Sequence, residues 1–195
     1  MKVILFLVLL FNIFSCSLYF RENKQLVKDY KYLSLEEFAK KHYTLYEEKH
    51  ELTDSTILNK IYYSPQNNGR AKFVCFTENN YTFESLPFEV NQPISDSVNN
   101  SKTIKLTRAD YYSIQDSVIK IESIAQSSGS VYTIIREGLI KGDKITLNKQ
   151  YTGRKRGKKK INKELIYIKE VQIHQLGEHY YAGFKQNKLF SKTKL

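Results

Sequence analysis

The densest chemistry in the chain is the run RKRGKKK, in which Arg154, Lys155, Arg156, Lys158, Lys159 and Lys160 place six cations in seven residues. Clustered lysines and arginines neutralise phosphate or sulfate groups and release the counterions those groups hold. The run reads as a polyanion-binding patch, with a solvated turn as the plainer alternative. No aromatic residue stands between Tyr151 and Tyr167. The run thus lacks a platform on which unpaired bases stack, which argues against nucleic acid. Anionic lipid head groups fit the same chemistry, at about 1 kcal/mol per Lys or Arg close to the surface. A sulfated polysaccharide fits it equally.

Other reactive side chains are sparse. His42 and His50 lie on or near one helical stretch, and His174 and His179 flank a turn where a hairpin would bring them together. Two imidazoles without further ligands fall short of a metal site. Glu47, Glu48 and Glu51 crowd one end of an amphipathic helix, where charges normally form the solvated face. No nucleophile elbow, zinc-protease, CxxC or phosphate-loop signature is present. The expected protein is therefore not an enzyme and uses no metal or cofactor.

The chain has two cysteines, Cys16 and Cys75. Cys75 sits in KFVCF and reads as a buried, inert thiol in a strand. Cys16 closes the stretch IFSC behind Lys2 and an apolar run from Val3 to Phe14 that only Asn12 interrupts. A positive start before a short apolar run is an export signal. As a helix the run would reach about 18 Å, short of a hydrocarbon core of about 30 Å.

IFSC resembles the lipobox of bacterial lipoprotein precursors. Ile13 matches the aliphatic position and Ser15 the small one. Phe14 departs from the strict pattern, in the manner of the relaxed boxes of spirochaete lipoproteins. The likeness covers about the first 20 residues. It implies that residues 1–15 are removed and that Cys16, carrying diacylglycerol, becomes the first mature residue. It also implies a place in the bacterial cell envelope, anchored to the membrane by that lipid. More than one acyl chain anchors stably without a transmembrane helix. Cleavage after Ser15 or Ser17 to give a soluble secreted protein, and an uncleaved anchor from Val3 to Phe20, are the alternatives.

Residues 16–33 read as a polar tether and 34–195 as one α+β domain, with an N-terminal helix or two and then a mainly antiparallel sheet, strongly curved or barrel-like. Ser34 and Glu37 form a capping box that opens a helix from Leu35 to about Lys49, and Ser55 opens a short one through Tyr62. AKFVCFT and YTFESLPF flank a hairpin turn at Glu78–Asn80. TIKLT is a short strand and Glu89 to Lys102 a loop. Thr107 to Ser113 suits one or two helical turns capped by Thr107 and Asp110. Residues 117–125 and VYTIIRE read as paired strands joined by SSGS, against a competing helix over 108–125. Another turn falls at Lys141–Asp143, a basic loop spans 150–163, and a last hairpin turns at Leu176–Glu178.

Charge divides the chain unevenly. Residues 141–195 hold 15 Lys/Arg and four Asp/Glu, whereas residues 16–140 hold 15 and 16. Such asymmetry points to a polyanionic partner or a membrane surface. Together these readings predict a membrane-anchored envelope lipoprotein that acts as a non-enzymatic binding module for a polyanionic surface. A structural or assembly accessory that docks another envelope protein is the alternative.

Overall fold

Two helices lead into the sheet, α1 over residues 24–32 and α2 over Leu35–His42. The computed structural model describes residues 24–48, 57–58, 60–66, 69–90, 106–127, 130–152 and 159–167. The stretch read as a tether is thus helical from 24 to 32, and Leu26, Tyr30 and Leu33 pack on the core. Asp29 of α1 is buried and clamps α2, taking Lys41 Nζ and His42 Nε2 at 2.8 Å each. Burial works to raise the Asp29 pKa, but the bonds from Lys41, His42 and Gln25 outweigh it and hold the carboxyl below its ordinary value.

The capping box forms at the start of α2. Ser34 Oγ accepts from Glu37 N at 3.2 Å and Glu37 Oε2 accepts from Ser34 N at 2.9 Å. The helix ends earlier than its periodicity suggests. Tyr43 is extended, and Thr44–Glu47 is a 3₁₀ turn. The cause is a distant carboxylate. Glu122, fully buried in the sheet, accepts from Leu45 N at 2.9 Å and Thr44 Oγ1 at 3.1 Å. A continuous α-helix would turn the Leu45 N–H inwards to residue 41. Desolvation pushes the Glu122 carboxyl up from its ordinary pKa, and the bonds from Leu45 and Thr44 oppose that shift without cancelling it.

Nine strands follow among the described residues: β1 Ile61–Pro65, β2 Arg70–Phe76, β3 Tyr81–Ser85, β4 Phe88–Glu89, β5 Leu106–Gln115, β6 Val118–Ser127, β7 Ser130–Lys141, β8 Lys144–Thr152 and β9 Lys159–Tyr167. All pairings are antiparallel. β1 pairs with both β2 and β9, so eight strands close into a barrel, and β4 adds to β2 outside the circuit. The α+β class with an antiparallel, barrel-like sheet is what the sequence predicts. Among the described residues no helix is long and apolar enough to cross a membrane.

Several local expectations change. Ile61 and Tyr62 open β1, so the short helix does not extend through Tyr62; Ile57 is in a 3₁₀ conformation, and Ser55 lies outside the described residues. Leu106 and Thr107 of TIKLT are strand and continue into β5, with 103–105 outside the described residues, and Thr107 to Ser113 is strand, not helix. Tyr111 and Tyr112 explain this, since they point to opposite faces and both are buried. Asp116 and Ser117, at φ 50° and 63°, form the tight turn that separates β5 from β6. Residues 118–125 are strand as expected, paired with β7. The basic loop shortens, because β8 runs to Thr152 and β9 starts at Lys159. The loop after Glu89 and the hairpin at Leu176–Glu178 fall outside the described residues, apart from Val90 and the end of β9.

Alternating residues of the strands face two separate cores. Ile61, Phe73, Cys75, Phe83, Ala109 and Tyr111 face outward beneath Leu35, Phe38, Tyr43 and Leu45 of the helical layer. Tyr62, Val74, Phe76, Tyr112, Ile121, Ile145, Leu147 and Leu165 face inward and fill one half of the barrel with Ile57. Cys75 is buried under the helices, and desolvation pushes its thiol up to about 12. At neutral pH it is an unreactive thiol, as its apolar neighbours suggest.

Candidate functional site

Residues opposite one another on paired strands share a face, so the register shows what fills the other half of the barrel. Ser64 of β1 faces Lys72 of β2, and Val74 of the inner core faces Glu84 of β3. Thr82 and Asp110 are partners across β3 and β5. Ile121 faces Arg136 of β7, Arg136 faces Gln150 of β8, and Leu147 faces Lys163 of β9. Every barrel strand therefore contributes a polar residue to one end of the lumen, with Ser123 standing for β6.

Ion pairs cross that end. Lys163 Nζ reaches Glu84 Oε1 at 3.3 Å, from β9 to β3, three strands away around the wall with β1 and β2 between. Lys72 Nζ lies 3.5 Å from Glu84 Oε2. Ser123 Oγ donates to Asp110 Oδ2 at 2.8 Å and accepts from Arg136 Nη1 at 3.3 Å. The Thr82 hydroxyl, buried beside Asp110, has no protein hydrogen-bond partner among the described residues. Among the described side chains three cations thus surround two carboxylates in a partly desolvated chamber. Burial is the main force lowering the Lys163 pKa; Arg136 and Lys72 push the same way, and Glu84 opposes them. Among the described side chains positive charge exceeds negative charge in this chamber.

The ends of the strands carry this charge outward. β8 leaves the polar end at Thr152 and β9 re-enters it at Lys159. Lys159 and Lys160 are exposed strand residues, opposite Gln150 and Lys149, and not part of a loop. Lys159 lies on the same side of β9 as Lys163, four residues further toward the rim. Arg154, Lys155, Arg156 and Lys158 lie outside the described residues, and so does Cys16. At the other end of the barrel are the turns at Glu78–Asn80, Asp116–Ser117 and Gly142–Asp143.

The other sequence candidates separate. His42 is held by Asp29, and Glu48 pairs with Lys120 at 3.0 Å and accepts from Ser113. His50, Glu51, His174 and His179 lie outside the described residues. Among the described residues no three His, Cys, Asp or Glu side chains gather as metal ligands. The lumenal charges themselves are missed by sequence reasoning. Their signal is the alternation in RAKFVCF and YTFES, which sets Lys72 and Glu84 in phase with Val74 and Phe76. Both faces of these strands are buried, so alternation alone does not say which is the lumen. The chain matches no protein-family model, no curated protein and no solved structure.

The lowered pKa of Lys163 has a measurable consequence. Between its folded value and the ordinary 10.5 the unfolded chain binds more protons than the folded one, so this lysine makes stability rise with pH. Urea midpoints of wild type and Lys163→Met, compared from pH 7 to 10, should show that wild type gains stability relative to the variant as pH rises. Parallel curves would mean Lys163 is solvated like any surface lysine.

Proposed function

We propose that the protein is a membrane-anchored envelope lipoprotein whose barrel binds a polyanionic surface through its cationic end, without catalysis. One observation carries the reading. The strand register brings Lys159, Lys160 and both flanks of the basic segment to the same barrel end as the positively charged chamber. A cationic rim over a low-dielectric cationic interior reinforces its own potential, since the field is less screened by solvent there. Anionic lipid head groups and sulfated polysaccharides both offer the matching charge. The resemblance of IFSC to a lipobox supports the anchor, with the lipid on Cys16 holding the barrel near such surfaces.

Both parts are open to test on the full chain. In phosphatidylcholine nanodiscs the protein should bind heparin, or vesicles containing phosphatidylglycerol, and lose that binding steeply as salt rises past the point where charges are screened over about 8 Å. Changing Arg154, Lys155, Arg156, Lys158, Lys159 and Lys160 to Gln should weaken it at least tenfold. Stability should move by about 0.5 kcal/mol or less, as for exposed substitutions generally. Equal binding by variant and wild type, or none by either at low salt, contradicts the reading; the preferred polyanion separates lipid from polysaccharide.

The anchor has its own readout. Cys16→Ala should shift the protein from the detergent phase to the aqueous phase, or leave it as an unprocessed precursor. A native protein whose mass begins at Ser17 or Leu18 without acyl chains would rule the anchor out.

A further inference from the structure

Beside the polar end of the barrel, α1 and the β6–β7 hairpin enclose a cleft of about 530 Å³. Its walls are Val27 and Tyr30 from α1, Ile124, Ala125 and Val131 from the hairpin, and its polar groups are Gln126 and Arg136. That volume lies within the roughly 300–1,000 Å³ of small-molecule sites, and such sites are mostly apolar with a few placed polar groups. We propose that this cleft binds an amphiphilic monoanion, its apolar body against Val27, Tyr30, Ile124 and Val131 and its head group on Arg136.

The choice of ligand follows from Arg136. A guanidinium carries five N–H donors in a planar fork that suits a carboxylate or phosphate. Among the described residues its one hydrogen-bond partner is Ser123 Oγ, at 3.3 Å, and no carboxylate lies within ion-pair distance of it. It is also close enough to Lys163 for the two charges to repel. An anion seated on Arg136 relieves that repulsion and occupies donors that Ser123 leaves free. Among the described residues the cleft offers a single cation, so the proposed ligand carries one charge, unlike the polyanion of the barrel rim. Val27 is an apolar side chain left 48% exposed at the cleft wall, and a ligand body would cover it.

The full chain in phosphatidylcholine nanodiscs can be titrated with octanoate, octanol and acetate by calorimetry, with empty nanodiscs as the blank. Octanoate should bind at least tenfold more tightly than octanol, and acetate should not bind over the same range. Arg136→Gln should bring octanoate down to the level of octanol. Val131→Trp, which fills the apolar wall and leaves Arg136 in place, should abolish both while leaving heparin binding intact. That last control separates this site from the polyanion reading, which stands or falls by itself. Equal affinity for octanoate and octanol in wild type, an unchanged ratio in Arg136→Gln, no binding of either, or undiminished octanoate binding by Val131→Trp overturns the proposal. If Arg136→Gln does not fold, the wild-type ratio and the Val131→Trp result decide it.

Discussion

Closure of the barrel rests on a narrow seam. β1 meets β9 through the register pairs Tyr62–Tyr167 and Tyr63–Ile166, with the Tyr62 and Tyr167 rings 6.0 Å apart. Once that seam forms, no barrel strand has a free edge and each has an inside and an outside. The inside must then be filled by side chains. In the half around Tyr112 and Ile145 it is filled with hydrocarbon, and in the other half with Lys72, Glu84, Asp110, Arg136 and Lys163. Charges that would be ordinary on an open sheet are thus forced against one another across the lumen. The same closure sets the even-numbered residues of β2 and β3 inside, which is why Lys163 can meet Glu84 from three strands away.

The helical layer is fixed to the outside by the same logic. Phe38 and Tyr43 pack edge to face at 5.5 Å, and the Tyr43, Tyr46 and Tyr81 rings all lie against Tyr111. The polar counterpart is Glu122, which reaches out from β6 to hold Leu45 and Thr44. A buried carboxylate is costly unless its lone pairs are used. Here those of Oε2 replace the backbone partner that Leu45 loses when the α-helix stops at His42, while Oε1 is buried without a hydrogen-bond partner among the described residues. Asp29 plays the equivalent part between the two helices. The position of α1, and hence the cleft beside Arg136, depends on both contacts.

Local features were legible from residue order because they need nothing distant. The capping box at Ser34, the hairpin at Glu78–Asn80, the β6–β7 pair and the turn at Gly142 each involve neighbours only. The features that were not legible need partners far along the chain. Thr44 and Glu122 are 78 residues apart, and their bond is what shortens α2. In β5 Tyr111 and Ile114 stand at a spacing that also suits a helix face, and only burial on both sides makes it a strand. The basic run was visible as composition. The placement of its last two residues, Lys159 and Lys160, at the polar end of the barrel follows from the β8–β9 register, which a list of lysines does not contain.

The account turns on that placement, and lysine reactivity reads it directly. The full-chain protein can be labelled with an amine-acetylating reagent, with and without saturating heparin, and the modified residues identified by mass spectrometry. Binding through the cationic end predicts that Lys159, Lys160 and the lysines between Thr152 and Lys159 become protected, while Lys141 and Lys144 at the opposite turn react unchanged. Protection spread evenly over both ends, or confined to Lys141 and Lys144, would contradict it.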